Sequence, residues 1–283
     1  MKTLKYFVLI LLVGSCSPRV ILKSPPVQNY PPVQDYEAFA TFTDLDTINL
    51  VNEQVIADVQ IKDVGLTINC DFETALELAK EKSKALGANA LKVYEHRLPD
   101  PWSNCHRIKF KALRMKNVKP YEKEINWNKK RKLAIEDFKG STLNRPFEAV
   151  TASQMGYKYW GTVIDGYATL KINSVFDCNL SYFKNNPDSL EILAHEQIHF
   201  DITEIYARKL LKRLQNEVKS IRELRTNGER IGREIQKEWI LLQDKYDSEV
   251  YADRSQQPKW NNMIAEELQK LNEYENKQIK IKW

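Results

Sequence analysis

The chain has 283 residues, of which 42% are hydrophobic and 29% are charged. This composition is typical of a globular protein with enough chain to bury one large core or two smaller ones. The net charge of +5 comes from lysines and arginines interleaved with aspartates and glutamates, which indicates a solvated surface and excludes a dedicated nucleic-acid-binding face.

Residues 1–15 have the organisation of an export signal. Lys2 and Lys5 flank the start of an apolar run, YFVLILLVG, that is too short to span a bilayer as a mature helix. The run ends in VGSC, which resembles the lipobox of bacterial lipoproteins. That resemblance implies lipidation of Cys16 and a lipid-anchored protein of the bacterial cell envelope, facing the periplasm or on the cell surface. The alternative is an ordinary secretory leader followed by an incidental cysteine, and both interpretations predict export.

Export would place the remaining cysteines in an oxidising compartment, where disulfides form. Cys70 and Cys105 fall within one predicted small module, so we expect these two to pair. Cys178 lies in the apolar stretch SVFDCNL, which indicates a small buried side chain rather than a nucleophile. The cysteines form no CxxC pair, and a zinc-ribbon site is therefore not expected.

Residues 16–36 predict a tether behind the lipidated cysteine. They contain SPPVQNYPPVQDY, an imperfect repeat of the form PPVQ(N/D)Y. Its prolines favour extended polyproline II and oppose helix, so we expect a semi-rigid stalk between the membrane and the folded part of the chain.

Residues 37–116 predict a small α+β module of order β-α-β-β. Asp71 is expected to cap the helix and Gly87 to end it. The segments TINC, LGANAL and SNCHR resemble disulfide-stapled modules of bacterial envelope-stress lipoproteins, over about 60 residues. His96 and His106 are candidate metal ligands, although surface histidines near strand ends explain them more simply. The predicted elements are a strand at 54–63, a helix at 71–87 and strands at 88–96 and 106–115.

Residues 117–283 are expected to form the second domain, which gives an α+β fold for the chain as a whole. The polar stretch 117–132 marks the boundary, and the β-branched and aromatic residues of 157–183 favour strands. From Asp188 the pattern predicts a long amphipathic helix that continues to about residue 245, with a break near Gly228.

Two of the four histidines of the chain lie in LAHEQIHFDI, residues 193–202. His195 and His199 are four residues apart, so on a helix both imidazoles face the same way and can bind one ion. Glu196 follows His195 directly, so its carboxylate is offset from the two imidazoles and can reach a further group bound beside that ion. Zinc held in this manner activates a water, and a neighbouring carboxylate accepts its proton during attack on a carbonyl. The alternative is two histidines hydrogen-bonded at a polar helix seam.

The stretch HEQIHFDITEIYARKL, with INWNKKRKLAIEDFKG upstream and YDSEVYADRSQQPKWNNMI downstream, resembles a bacterial family of uncharacterised, secreted zinc-dependent proteases. The resemblance covers residues of about 120–265. It implies a zincin-like domain with strands and long C-terminal helices, zinc as cofactor, Glu196 as general base, and His195 and His199 as metal ligands. The positions that match structural landmarks of the family are Trp127, Phe138, Gly140, Tyr246, Asp247 and Trp260.

One departure from the family pattern concerns the third metal ligand. The family has Thr-x-His after Tyr-Asp, whereas Ala252 occupies the histidine position here. Zinc also accepts carboxylate oxygen, so we expect Glu249, one helical turn before Ala252, to replace the histidine. Asp253 and Asp247 are the alternatives.

Three further side chains near these positions have possible roles. Tyr246 or Tyr251 can donate a hydrogen bond to a developing oxyanion, although packing is the more common role of such tyrosines. Asp201 is two residues past His199 and points to another helix face, so it is expected to orient a neighbouring element rather than bind the ion.

These observations predict a membrane-anchored, zinc-dependent, metallopeptidase-like lipoprotein that hydrolyses peptide bonds. Its expected partners are the membrane, through the N-terminal lipid, and a peptide or protein substrate. The alternative is a non-catalytic envelope lipoprotein whose degenerate zincin-like domain acts in binding or stress sensing, and the missing third histidine favours it.

Overall fold

The computed structural model describes residues 19–283, except 25, 27, 50–52, 64–66, 68 and 186, so the predicted export signal and Cys16 lie outside the described residues. The described chain is α+β, as predicted. Its strands are β1 (Arg19–Leu22), β2 (Ala40–Phe42), β3 (Gln54–Lys62), β4 (Ala90–Arg97), β5 (Arg107–Arg114), β6 (Glu124–Asn126), β7 (Ala149–Val150), β8 (Ser153–Thr162), β9 (Tyr167–Asp177), β10 (Tyr182–Phe183) and β11 (Gln278–Lys282), and its helices are α1 (Phe72–Ala85), α2 (Ser189–Glu217), α3 (Ile221–Ala252) and α4 (Gln257–Lys270).

A five-stranded sheet in the order β1-β3-β5-β4-β2 forms the first packing unit, with α1 against its apolar face. The predicted β-α-β-β order is confirmed for β3, α1, β4 and β5. Asp71 caps α1 by accepting a hydrogen bond from the Thr74 amide at 2.7 Å. Gly87 ends the helix with a φ of +79°, a left-handed conformation that glycine adopts at no steric cost.

The segment predicted to be a free tether differs in the structure, since its described part packs on this unit. β1 pairs with β3 at the sheet edge. Val33 is buried, and its amide donates to the Lys84 carbonyl at the end of α1. Tyr30 donates to Gln54 at 2.6 Å. Extended proline-rich backbone leaves its interspersed apolar side chains available for packing, which the composition of the repeat does not reveal.

The second sheet is built around β9, the longest strand. β8 pairs with β9 in an antiparallel hairpin whose connection contains Gly166 at a φ of +69°. β6 and β11 pair with the other edge of β9. The apolar face of β9, including Leu170 and Ile172, packs on α2 within the largest core cluster. This sheet therefore supports the helix that carries both histidines of the predicted site.

The long C-terminal helical region is a pair of antiparallel helices, α2 and α3, and not one helix broken near Gly228. Val218 is extended, and Ser220 caps α3 by accepting from the Glu223 amide at 3.2 Å. Gly228 lies inside α3, where an added Cβ would approach the Tyr157 hydroxyl to 2.5 Å. That glycine permits close packing and does not end the helix. Across the described residues no helix is both long and apolar enough for a membrane span.

Candidate metal centre

Three side chains from two helices converge on one point. His195 and His199 project from α2, and Asp247 projects from the last turns of α3. The two histidine Nε2 atoms lie 3.1 Å apart. Asp247 Oδ1 lies 3.1 Å from Nε2 of His195 and 2.9 Å from Nε2 of His199. The three atoms thus form a nearly equilateral triangle.

This triangle has the size of a metal coordination face. Tetrahedral zinc with bonds of about 2.0–2.1 Å places neighbouring ligand atoms about 3.3 Å apart. The three atoms match one face of such a tetrahedron and leave a fourth position for a water or substrate oxygen. Among the described residues, these three form the group of histidine and carboxylate ligands able to hold a metal ion. Two imidazoles and a carboxylate also suit other divalent metals, so the donor set does not specify which metal binds.

The hydrogen bonds of His199 direct its Nε2 towards the Asp247 carboxylate. Gln243 Nε2 donates to the His199 carbonyl at 3.0 Å, which directs Gln243 Oε1 at Nδ1 of the ring, 2.6 Å away. Nδ1 must therefore carry a proton, and neutral His199 presents a lone pair at Nε2. That lone pair faces the Asp247 carboxylate, so either a second proton on His199 or a metal cation lies between the two acceptors.

The electrostatics of the site also favour a positive charge. Burial lowers the pKa of His199, but the Asp247 hydrogen bond and the charges of Glu196 and Asp247 outweigh this and raise it above its usual value. Burial raises the pKa of Asp247, yet hydrogen bonds and charge from both histidines hold it well below its usual range. Both shifts arise from the attraction between the imidazoles and the Asp247 carboxylate, which stabilises the charged form of each group.

Glu196, the predicted general base, lies beside the two histidines and Asp247, and one of its carboxylate oxygens accepts no hydrogen bond from any residue that the structure describes. The residue is 3% exposed, and its Oε2 has no hydrogen-bond partner among the described residues. Buried carboxylate oxygens are nearly always paired, so an orphan of this kind indicates a missing ligand or a catalytic role. Glu196 and His195 line a cleft of about 720 Å³ between α2, the end of α3 and the segment before β7.

The structure separates the roles of the two candidate tyrosines. Tyr246 is fully buried, with its ring stacked 4.6 Å from that of His195 and its hydroxyl 2.8 Å from Gln257 Oε1. It is therefore a packing residue beneath the metal group. Tyr251 lines the cleft, with its ring centroid 5.3 Å from that of His195. Desolvation and the charges of Asp247 and Glu196 raise the pKa of Tyr251 to about 12, so its hydroxyl keeps its proton at neutral pH.

The carboxylate predicted as third ligand, Glu249, does not approach the histidines, and Asp247 occupies that place. Glu249 Oε2 accepts a hydrogen bond from the Trp260 indole at 3.0 Å and so faces α4. Asp253, the second alternative, accepts from the Ser255 amide beyond the end of α3. Two residues along a helix turn a side chain by about 200°, so Glu249 points away from the face that Asp247 presents to α2.

The other polar residues of the HEQIHFD stretch position a neighbouring segment. Asp201 accepts from the Trp127 indole at 2.6 Å and from Lys132 at 3.2 Å. Gln197 Oε1 accepts from the Leu133 amide at 2.8 Å. Asp201 therefore orients the chain after β6 and lies away from the metal group, as expected.

The remaining landmarks of the resemblance make packing contacts. Trp260 is buried, with its ring edge-on to Tyr246 at 5.2 Å. Phe138 packs edge-on against Phe176 at 4.9 Å. A Cβ at Gly140 would lie 2.7 Å from the Ser181 carbonyl, so only glycine fits there without a backbone shift.

The other candidate residues of the first unit form no comparable centre. His96 Nε2 lies 2.8 Å from His106 Nδ1, and the His96 ring stacks on Phe72 at 4.1 Å. The pair gains no third ligand within the part of the chain that the structure describes. Cys70 and Cys105 form the predicted disulfide.

Comparison of the chain with protein-family models, with curated proteins and with solved structures finds no match. The resemblance to secreted zinc-dependent proteases therefore stays a prediction from the motif residues. What the chain does has to be argued from the geometry of the site.

Proposed function

We propose that the chain is a zinc-dependent peptidase of the bacterial cell envelope, held at a membrane by a lipid on Cys16. The observation that carries the proposal is the triangle of His195, His199 and Asp247 beside the unpartnered carboxylate of Glu196. Three ligands with an open fourth position, next to a free base and a cleft, are the parts that metal-assisted hydrolysis of a peptide bond requires.

Each residue has a definite task in this proposal. Zinc, when bound, supplies a Lewis acid that lowers the pKa of a water towards neutrality. Glu196 Oε2 accepts the proton of the attacking water and returns it to the leaving amine nitrogen. Tyr251 is protonated at neutral pH and donates a hydrogen bond to the developing oxyanion. Gln243 holds the proton of His199 on Nδ1 and leaves Nε2 free as a ligand.

The alternative, a non-catalytic envelope protein with a degenerate site, loses its main argument. It rested on the absence of a third histidine, and Asp247 supplies a carboxylate oxygen where that ligand is needed. The unpartnered Oε2 of Glu196 suits a bound ligand or a catalytic base, and its position beside the three ligand atoms favours the base. We therefore retain the peptidase proposal alone.

Hydrolysis of an unfolded protein tests the proposal. Protein lacking residues 1–16 is loaded with zinc and incubated with casein, together with Glu196→Gln and, as matched control, Glu238→Gln at an exposed position of α3. All three are expected to bind one zinc. Glu196→Gln should lose hydrolysis by about a thousandfold, within the range of an essential acid-base group. Equal hydrolysis by Glu196→Gln and parent contradicts the proposal.

The membrane anchor has a separate test. Cells that produce the full chain are labelled with a radioactive fatty acid, and incorporation is compared with that in Cys16→Ser. We expect label in the parent alone. Label in both, or in neither, contradicts lipidation at Cys16.

A further inference from the structure

The cleft beside Glu196 has a mainly apolar wall. α2 contributes Ile192 and Ala194, the end of α3 contributes Val250 and Tyr251, and the segment before β7 contributes Phe147. His195 and Glu196 line the same cleft. Its volume of about 720 Å³ suits a short extended segment or a small ligand and not a folded domain.

Large apolar side chains remain exposed along this cleft. Phe147 is 56% exposed and Tyr251 is 64% exposed. Single exposed apolar side chains are ordinary, but a group of them at one cleft indicates a surface that an apolar ligand covers.

The charged residues at the cleft are mostly acidic. Glu148, Asp188 and Glu191 line it, together with one basic residue, Arg254. Arg254 lies 3.9 Å from Asp188, and Lys184 lies 3.6 Å from Glu148. The Glu196 carboxylate also lines the cleft, so four carboxylates face one lining basic residue. An acidic ligand side chain would therefore meet like charge within a partly desolvated cleft, which is unfavourable.

We infer that this cleft selects the substrate, and the inference rests on the proposed peptidase function. The substrate is an unfolded polypeptide segment that places a side chain of leucine or phenylalanine type against Phe147, Ala194 and Tyr251, next to the bond that is cut. Aspartate or glutamate at that position is rejected. His195 and Glu196 line the same cleft, so a carbonyl placed beside them has a neighbouring side chain within reach of this wall.

Binding of labelled peptides tests the inference without relying on turnover. Fluorescein-labelled octapeptides of glycine and serine, with a central Leu-Leu, Asp-Asp or Gly-Gly pair, are titrated into zinc-loaded Glu196→Gln, and anisotropy is measured. We expect the Leu-Leu peptide to bind at least tenfold more tightly than either of the others. Phe147→Ala, introduced into Glu196→Gln, should weaken binding of the Leu-Leu peptide about tenfold, because the substitution removes apolar surface from the cleft wall. The matched control is Trp102→Ala, an equally aromatic but 94% exposed position between β4 and β5, which should bind unchanged.

The outcomes separate the selectivity from the peptidase function. Equal binding of the Leu-Leu and Asp-Asp peptides overturns the selectivity, as does an equal loss in Phe147→Ala and Trp102→Ala. Selective binding of Leu-Leu in a protein whose parent hydrolyses nothing supports the cleft and contradicts the peptidase. A parent that cuts Asp-Asp as fast as Leu-Leu peptides contradicts the selectivity while the peptidase function stands.

Discussion

A side chain of the opposite helix fixes the Nδ1 side of the His199 ring. Gln243 accepts from Nδ1 of the ring and donates to the His199 backbone carbonyl. We predict that Gln243→Ala weakens zinc binding by about 10–100-fold, the usual effect of removing a group that orients a ligand. Competition with a chromophoric chelator measures this. Gln236→Ala, an exposed position on the same helix, should leave affinity unchanged, and a similar loss there would contradict the assignment.

Cys178 provides a second prediction at this scale. Its side chain is fully buried, and desolvation raises the pKa of its thiol to about 12. At pH 8 the thiol is therefore neutral as well as inaccessible, and only the thiolate reacts. We expect no reaction of the folded protein lacking residues 1–16 with a disulfide reagent, and one thiol per chain in denaturant. Rapid labelling of the folded protein would contradict the buried position.

The sequence could predict part of the site but not all of it. His195, Glu196 and His199 are within one and a half turns of one helix, so their arrangement follows from helical periodicity alone. Asp247 belongs to a different helix, and its selection over Glu249 depends on how α3 is rotated against α2. A partial signal was present, because Tyr246 and Val250 continue the apolar face of α3 and Asp247 lies beside it.

At the scale of elements, two glycines of α3 have opposite environments. A Cβ at Gly228 would lie 2.5 Å from the Tyr157 hydroxyl, whereas one at Gly232 meets nothing within 4 Å. We predict that Gly232→Ala stabilises the fold by about 0.5–1 kcal/mol through helix propensity. Gly228→Ala should instead destabilise it by about 1–3 kcal/mol, since Tyr157 must move. Urea unfolding measures both, and stabilisation by Gly228→Ala would contradict the close packing of β8 on α3.

Elements with strong local signals were predictable, and elements without them were not. α1 has Asp71 and Gly87 at its ends, and β3 has a regular β-branched pattern, so both were predicted within a few residues. The loop between α2 and α3 contains neither glycine nor proline. Its signal is the Ser220 cap with Glu223 three residues later, which is inconspicuous in a charged sequence. β1 and β2, of 4 and 3 residues, are too short to show a period.

At the scale of the whole molecule, the disulfide and the metal group belong to different packing units. Cys70 and Cys105 close a loop with a sequence separation of 35 residues in the first unit. We predict that replacing both by alanine lowers the free energy of unfolding of that unit by about 2–4 kcal/mol, from the loop entropy that the bridge removes. Zinc affinity should not change, because the ligands lie on α2 and α3. A parallel loss of zinc would show that the units are coupled.

Contacts between the units are present but mostly polar. Asn69 donates to the Tyr159 carbonyl at 3.1 Å, and Lys171 of β9 pairs with Glu77 of α1 at 2.5 Å. Ion pairs that are partly exposed contribute little free energy. The metal centre is therefore expected to depend on the apolar core between β9, α2 and α3, and not on the first unit.

The central claim is that Asp247 completes a zinc site with His195 and His199. The most direct test is a zinc titration of protein lacking residues 1–16, of Asp247→Asn and of Glu249→Gln. We predict one tightly bound zinc in the parent and in Glu249→Gln, whose side chain can still accept from Trp260, and affinity at least about 100-fold weaker in Asp247→Asn. No zinc in the parent, or equal affinity in Asp247→Asn, would contradict the account.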